Sequence, residues 1–366
     1  MNKDLATLPQ SISRLRGARL GVAMSGGVDS SVAAALLVEA GLEVLGLTMK
    51  LLPADSAPPS DHLASAAEVA RSLGIEHHVL DLHEVFSREV LDPFLCSYLA
   101  GTTPNPCALC NPRIKFGALL THARNLGCLG LATGHYVRKL EHNGRYYLGA
   151  PVDRGKDQTY FLFLLEQTAL ARAYFPLEGI SKTEVRALAA ARNLPVAGRP
   201  ESQDLCFVPK GRYPEFVEQH RAPPPPGPIL DLDGTVLGHH RGLHRYTLGQ
   251  RHSLGLSSPR PLYVVALDPG RNAVRVGPEA ALYSDRLRCE RLYPMKETDL
   301  DGRTFLVKVR STARPVTGTV TLTNEGAEIR FEQPQRGLTP GQAAVLYDDE
   351  GGVVAGGWIR EVGAFT

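Results

Sequence analysis

The chain has 366 residues, 43% of them hydrophobic, which is enough for two or three domains with buried cores. Its net charge of +2, from 40 lysines and arginines against 38 aspartates and glutamates, neither requires nor excludes a nucleic-acid partner. No apolar run approaches the roughly 20 residues of a membrane span, and residues 1–16 lack an apolar signal core. We therefore expect a cytoplasmic protein with no membrane partner.

Residues from about 17 to 205 alternate short apolar segments, typical of strands, with segments of helical periodicity. Ser181 and Glu184 form a capping box at the start of one predicted helix. The alternation predicts an α/β fold with a doubly wound parallel sheet, whose ligand binds at the carboxyl ends of the strands. The predicted strands are 20–24, 42–49, 76–82 and 129–133, and the predicted helices are 32–37, 64–73 and 181–193.

The composition changes at Ala222–Pro228, a proline-rich run that predicts a stiff connector rather than a helix or a central strand. Beyond it the segments alternate with the period of two that is typical of strands, and from about residue 285 they predict a small β-barrel. We therefore predict three domains: residues 1–210, a nucleotide-binding catalytic domain; 211–283, a small β-rich central domain; and 284–366, a C-terminal β-barrel.

Residues Met24–Ser31 read Met-Ser-Gly-Gly-Val-Asp-Ser-Ser and lie between a predicted strand and a predicted helix. The small residues allow backbone N–H groups to close around an anion, and the helix N-terminus adds positive potential. The Gly-Lys-Ser/Thr of the common P-loop is absent. The octamer instead resembles the loop of the ATP pyrophosphatases (the PP-loop superfamily), which cleave ATP between its α and β phosphates.

Three of the six cysteines lie in unusual segments. Cys107 and Cys110 belong to the segment 103–112, whose three prolines predict an ordered loop, and Cys206 lies near the end of the α/β region. A disulfide framework is not expected without a secretion signal, so clustered thiols indicate catalysis, redox chemistry or metal binding. Structural zinc is disfavoured, because the sequence has no second Cys-x-x-Cys pair. The remaining cysteines are expected to be inert: Cys96, Cys128 and Cys289.

Taken together, these segments resemble the bacterial tRNA-specific 2-thiouridylases over nearly the whole chain. The resemblance implies a fold like that of the adenine nucleotide hydrolases and a tRNA-uridine 2-sulfurtransferase activity. In that reaction ATP adenylates the C2 oxygen of the wobble uridine U34, and sulfur from a cysteine persulfide replaces this oxygen. The segments that carry the resemblance are Met24–Ser31, Thr103–Phe116, Ala132–Tyr136, Lys156–Leu162, Glu201–Phe207 and Tyr246–Arg251.

The resemblance also implies roles for individual residues. Cys206 would receive sulfur as the persulfide, and Cys110 would be the second catalytic cysteine. ATP would be bound by Ala23, Met24, Ser25, Gly26, Gly27, Val28, Asp29, Ser30, Met49 and Gly134. The target base or the tRNA would be contacted by Asn105, Pro106, Cys107, His135, Lys156, Asp157, Gln158, Arg310, Ser311 and Gln342. Asp29 is also the candidate for Mg²⁺ bound with ATP.

The thiols must ionise to react, so nearby cations are expected to lower their pKa values. Lys115 and Arg113 are the nearest candidates in sequence. Cys107 stands where part of the family has aspartate, and Cys107, Cys110 and Cys206 together could hold a [4Fe–4S] cluster that carries the sulfur instead. The loop Pro53–Ser60 stands where many relatives carry an acidic insertion.

Two other functions remain open from the sequence. Another ATP pyrophosphatase, an adenylating synthetase acting on a small acid, would explain the octamer but would leave Cys110 and Cys206 without roles. A non-enzymatic RNA-binding protein would bind tRNA without releasing AMP. The family analogy further implies a monomer that acts on tRNAs for Lys, Glu and Gln and receives sulfur from a cysteine desulfurase or a sulfur-relay protein.

Overall fold

A computed structural model describes residues 8–53, 62–200, 205–209, 211–296 and 298–363. The loop Pro53–Ser60, where many relatives carry an acidic insertion, lies almost wholly outside the described residues. Two compact units make up the chain: Met1–Glu89 with Cys107–Phe207 and Glu350–Val354, and Val90–Pro106 with Val208–Asp349 and Ala355–Thr366. The domain boundaries at 210 and 283 stay predictions. None of the described helices is both long and apolar enough for a membrane span.

The helices and strands are numbered in chain order. The α-helices are α1 (Gln10–Ser13), α2 (Val28–Glu39), α3 (His62–Leu73), α4 (His83–Phe86), α5 (Asp92–Leu99), α6 (Pro106–Cys110), α7 (Leu120–Asn125), α8 (Gln167–Arg172), α9 (Lys182–Ala191) and α10 (Tyr213–His220). Two π-helices span Ser87–Leu91 and Asn111–Leu119. The strands are β1 (Arg19–Ala23), β2 (Glu43–Lys50), β3 (Glu76–Asp81), β4 (Leu131–Ala132), β5 (Arg138–His142), β6 (Arg145–Gly149), β7 (Ala173–Tyr174), β8 (Gly227–Leu230), β9 (Val236–His240), β10 (Tyr263–Asp268), β11 (Ala273–Gly277), β12 (Tyr283–Cys289), β13 (Tyr293–Pro294), β14 (Thr304–Lys308), β15 (Val316–Thr323), β16 (Gly326–Arg336), β17 (Ala343–Tyr347) and β18 (Val353–Val362).

The first unit is built on a parallel sheet with the strand order β3-β2-β1-β4-β7. The chain runs outward from β1 through β2 to β3 and then returns to the other side of β1 with β4. The order therefore reverses between β1 and β4, and in open α/β sheets the ligand crevice lies at such a reversal, beyond the carboxyl ends of the strands. Met24 and Thr133 follow these two strands directly. The predicted α/β fold is confirmed.

Helix α2, which follows the octamer's glycines, lies in the core of this unit. Nearly all of Val28–Leu37 is buried, and alanines at 33–35 allow close approach on every side. Its N-cap residue is Gly27, which has no side chain to satisfy the first N–H groups of the helix. These groups therefore remain available for an anion at the crevice.

The second unit contains a four-stranded sheet, β10-β11-β8-β9, and a closed antiparallel barrel. In the barrel β12, β16, β15, β14, β17 and β18 pair in turn, and β18 pairs back to β12. Closure gives each of these six strands a partner on both sides, and side chains such as Val307, Val320 and Ile329 fill the interior. The predicted small barrel is confirmed, and so is the β-rich region before it.

One expectation for the second unit is wrong. The proline-rich run was expected to exclude a central strand, yet Pro228 lies in β8, between β9 and β11. Pairing with β11 begins only at Ile229, and Pro228 pairs only with His239 of β9. The proline is tolerated because it stands at the end of the strand, before the second ladder begins.

Candidate functional site

The octamer Met24–Ser31 forms a tight loop between β1 and α2. Gly26 has a φ of 69°, and a Cβ atom there would lie 2.5 Å from the carbonyl oxygen of His62, so glycine is required. The backbone N–H of Ser25 donates to Ser30 Oγ at 3.2 Å, and the Ser31 hydroxyl donates to the Gly27 carbonyl at 2.8 Å. These bonds fold the loop onto the first turn of α2.

The segment after β4 packs against the same turn. A Cβ atom on Gly134 would lie 2.8 Å from both the carbonyl carbon of Asp29 and the backbone nitrogen of Ser30. Gly134 therefore lies beside the octamer, as the sequence predicts for two parts of one site. Met49 is near the carboxyl end of β2, the strand that pairs with β1.

Replacement of Gly134 by alanine is expected to weaken ATP binding at least about tenfold and to lower stability by about 1–3 kcal/mol, because a methyl group would displace backbone atoms of α2. Gly179→Ala is the control, since a Cβ there meets no atom within 4 Å. Titration calorimetry with ATP and thermal unfolding measure the two effects. If Gly134→Ala and Gly179→Ala had the same ATP affinity and the same thermal stability, the close approach of Gly134 to the loop would be contradicted.

Asp29 is held by two residues that the sequence analysis did not identify. Lys182 Nζ donates to both carboxylate oxygens, at 2.6 and 2.7 Å, and the Tyr136 hydroxyl donates to Oδ1 at 2.7 Å. Lys182 is the first residue of α9, where a cation is disfavoured by the helix dipole. A lysine directly after the capping-box serine was therefore the signal in the sequence that could have identified Lys182 as a functional residue. The role of Asp29 toward Mg²⁺ stays a prediction, and a metal would compete with Lys182 for this carboxylate.

The segment that carries Cys107 and Cys110 is helical from Pro106 onward, so the predicted ordered loop is wrong for most of its length. Pro106 is the first residue of α6, and Pro112 is the second residue of the π-helix Asn111–Leu119. Proline is tolerated in the first turn of a helix, where its missing N–H costs nothing. Pro106 therefore marks the start of the helix, and Pro112 lies where this continuous helix changes from α to π geometry.

The thiol of Cys206 lies near enough to those of Cys107 and Cys110 that its ionisation would raise the pKa of both. Burial raises the pKa of Cys107 to about 11 and that of Cys110 to about 12, and the nearby Cys206 adds to both shifts. Cys206 is solvent-accessible, yet the protein around its thiol also raises its pKa. The ammonium of Lys115 opposes each shift, in the predicted direction, but burial outweighs it. The expected net lowering of the thiol pKa values is therefore wrong.

Two further expectations about these thiols concern Arg113 and an iron–sulfur cluster. Arg113 does not contribute to the thiol pKa values; it pairs with Glu89. Within the part of the chain that the structure describes, no three or more His, Cys, Asp or Glu side chains are grouped so as to hold a metal ion. The [4Fe–4S] option for the three cysteines is therefore unconfirmed and stays a prediction.

In the first unit, one of the residues predicted to contact tRNA, Gln158, binds the backbone of Tyr136. The backbone N–H of Tyr136 donates to Gln158 Oε1 at 2.9 Å, and the Thr159 hydroxyl donates to Asp157 Oδ1 at 2.7 Å. His135 is buried, and Lys156 ends a short 3₁₀ turn. The side chains of Asp157 and Gln158 thus accept hydrogen bonds from the backbone N–H groups of Thr159 and Tyr136.

In the second unit, Gln342 binds the chain just before the predicted base-contacting residues. Its Nε2 donates to the carbonyl oxygens of Thr103 and Pro104, at 3.0 and 3.1 Å, and Asn105 and Pro106 beyond them are buried. Arg310 donates to the Gly337 carbonyl and to Thr339 Oγ1, at 2.7 and 2.6 Å. Ser311, beside Arg310, is half-buried. The structure thus brings Gln342 and the segment 103–104 together.

Three family profiles match consecutive parts of the chain: the tRNA methyl transferase HUP domain over residues 18–210, the tRNA methyl transferase PRC-barrel domain over 214–278, and the aminomethyltransferase beta-barrel domain over 284–359. The tRNA-specific 2-thiouridylase MnmA of Chloroflexus aurantiacus is 47% identical over 352 residues, 92% of this chain and 97% of that protein. The MnmA of Moorella thermoacetica is 47% identical over 354 residues, 93% of this chain and 99% of that protein.

Solved structures give weaker likenesses. The U34-tRNA thiolase NcsA from Methanococcus maripaludis with its [4Fe-4S] cluster has 20% identity and a TM-score of 0.37, covering 58% of this chain and 67% of that chain. A 4-thiouridine synthetase–RNA complex with bound ATP has 16% identity and a TM-score of 0.35, covering 55% and 50%. Both TM-scores are below 0.5, whereas the sequence relatives match almost end to end. The chain belongs to the tRNA-specific 2-thiouridylase family.

Proposed function

We propose that this protein is an ATP-dependent tRNA sulfurtransferase that converts the wobble uridine U34 to 2-thiouridine. The observation that carries the proposal is the presence, in one compact unit, of the glycine-containing loop at the carboxyl edge of the parallel sheet and of three thiols, those of Cys107, Cys110 and Cys206. Family membership over nearly the whole chain supports it. An adenylating synthetase without sulfur chemistry would use the loop but would have no role for the thiols.

The first step is adenylation. The C2 oxygen of the uracil attacks the α-phosphorus of ATP, and pyrophosphate leaves. Backbone N–H groups of Gly26 and Gly27 and the N-terminus of α2 would stabilise the phosphate charge, with Gly134 and Met49 beside the nucleotide. Mg²⁺ bound with ATP would neutralise further phosphate charge, and Asp29 is the residue that we propose for it. The C2 oxygen then leaves as part of AMP.

The second step transfers sulfur. In one route the terminal sulfur of a Cys206 persulfide attacks C2 and displaces AMP, and the Cys110 thiolate then attacks Cys206 Sγ, which frees the 2-thiouridine. In the other route Cys110 attacks first and releases hydrosulfide, which attacks C2. Both routes leave a Cys110–Cys206 disulfide, which a thiol reductant must reduce with two electrons before the next turnover.

We propose the persulfide in preference to an iron–sulfur cluster, because the described thiols are not grouped as metal ligands. Iron and sulfide analysis after anaerobic purification tests this choice. Stoichiometric iron that is required for activity would replace the persulfide with a cluster held by Cys107, Cys110 and Cys206.

The proposed partners follow from the family analogy. They are tRNAs for Lys, Glu and Gln, and a cysteine desulfurase or sulfur-relay protein that loads Cys206, with the protein acting as a cytoplasmic monomer. A wobble base must leave its stack to reach ATP and a thiol, and we propose that Asn105, Pro106 and Cys107 receive it. We propose the remaining predicted contacts for the tRNA itself: His135, Lys156, Asp157, Gln158, Arg310, Ser311 and Gln342.

The direct test is mass analysis of nucleosides from unmodified tRNA(Lys) incubated with the protein, ATP, Mg²⁺, a cysteine desulfurase, cysteine and a thiol reductant. We expect 2-thiouridine at position 34 only when ATP is present. A tRNA with cytidine at position 34 is the control and should remain unmodified. Pyrophosphate release without any thiolated nucleoside would favour an adenylating synthetase.

A further inference from the structure

The helix after Cys110 is a π-helix of nine residues, Asn111–Leu119. π-helices are rare and mostly occur as single turns, frequently at functional sites. Here Pro112 and Gly117 are five residues apart, and a Cβ on Gly117 would lie 2.8 Å from the Pro112 carbonyl oxygen. Glycine at 117 therefore permits the wide turn.

The wide turn changes which side chain shares a face with Cys110. In an α-helix a residue five positions later is rotated by about 140° and points away. In a π-helix, whose hydrogen bonds join residues five apart, the same residue returns to nearly the same face. That residue is Lys115. The turn is anchored by Asn111, whose Nδ2 donates to the Phe161 carbonyl at 3.0 Å, and by the buried Ile114.

Lys115 is also held by His135, which lies just beyond the end of β4. Its Nζ lies 3.3 Å from His135 Nε2, and His135 Nδ1 lies 2.8 Å from Thr133 Oγ1. Lysine can only donate, so Nε2 accepts, and Nδ1 carries the proton of the neutral ring. Burial and the charge of Lys115 hold the pKa of His135 well below its usual value, so the ring stays neutral. A neutral acceptor fixes the ammonium without adding a competing charge.

We propose that Lys115, placed by the π-helix and held by His135, is the positioning residue that stabilises the thiolates of Cys110 and Cys206 during sulfur transfer. The proposal deepens the proposed function and rests on it. Lys115 is the cation that acts on all three thiols, and it favours the ionised form of each; Cys206 opposes ionisation of Cys107 and Cys110, and Cys107 opposes that of Cys110. Arg113, on the same π-helix, is engaged by Glu89 instead.

The test is the rate of Cys206 alkylation by iodoacetamide, followed peptide by peptide by mass spectrometry between pH 6 and 10, on the full chain without tRNA or ATP. Lys115→Met should slow the reaction at pH 8 at least about fivefold and displace its pH profile upward, and Lys115→Arg should restore much of the rate. Arg113→Met, a cation lost from the same helix, should stay within twofold of the parent. An unchanged profile for Lys115→Met, or equal shifts in both Met variants, would overturn the proposal.

Gly117→Ala tests the helix itself. Alanine ordinarily stabilises a helix relative to glycine, but here its methyl group would collide with the Pro112 carbonyl and close the wide turn. We expect the alkylation profile of Cys206 to shift as in Lys115→Met, with Gly198→Ala, where a Cβ meets no atom within 4 Å, as control. A parent-like profile in a folded Gly117→Ala protein would contradict the role of the π-helix. If the parent forms no 2-thiouridine but Lys115 still governs Cys206, the proposed function fails and the assignment of Lys115 stands.

Discussion

Cys206→Ser is expected to lower 2-thiouridine formation at least about a thousandfold while pyrophosphate release during adenylation continues. Cys206 is solvent-accessible and can receive sulfur from a donor protein, whereas Cys110 is buried. A serine hydroxyl cannot carry a persulfide, so loss of the sulfur carrier removes the transfer step entirely. Nucleoside mass analysis and a pyrophosphate assay measure the two steps separately.

Cys96→Ser is the matched control, since Cys96 is also exposed but belongs to α5 of the other unit. It should leave both measurements unchanged. A Cys206→Ser protein that keeps full product formation would exclude the proposed thiolase.

Cys110→Ser then distinguishes the two routes of sulfur transfer. If the Cys206 persulfide attacks C2 directly, the variant releases AMP and stops with the tRNA joined to Cys206 through a disulfide. If Cys110 must first release hydrosulfide, no such adduct forms. The protein–tRNA adduct is detectable by denaturing electrophoresis and should dissolve on addition of a thiol reductant. Free 2-thiouridine from Cys110→Ser without reductant would contradict both routes.

The sequence predicted the features of the fold that depend on local patterns. Alternation of apolar segments, a capping box at Ser181 and period-two segments near the C-terminus were enough for the parallel sheet and the barrel, because periodicity is a local property. The same patterns placed Met24–Ser31 and Gly134 after strands that meet at one edge of the sheet, and the structure brings them together.

The sequence could not predict features that depend on tertiary contacts. Lys182 lies 153 residues from Asp29, and no local pattern joins them. The thiol pKa values were expected to fall because Lys115 is close in sequence, but burial, which only the folded chain determines, raises them. The helix at Pro106–Leu119 was misread because proline marks both loops and first helical turns.

The pairing of Asp29 with Lys182 leads to the second large expected effect. Lys182→Met should lower ATP-dependent pyrophosphate release at least about a hundredfold, because Lys182 places a nearly buried ammonium beside the first turn of α2, where phosphate charge would develop. Asp29→Ala should abolish adenylation as well. Both variants should bind tRNA with nearly the parent affinity, since neither residue is among the proposed tRNA contacts.

Lys50→Met is the control for this pair. Lys50 also binds an aspartate in the first unit, Asp81 at 2.9 Å, but on an exposed surface, where such a pair contributes little. The double variant Asp29→Ala/Lys182→Met shows whether the residues act as a unit: the combined loss should then be no greater than that of the more severe single variant. If the loss of pyrophosphate release in the double variant equals the product of the two single losses, Lys182 and Asp29 act separately. A parallel fall in tRNA affinity, measured by gel shift, would mean that the pair supports the RNA-binding surface rather than the nucleotide.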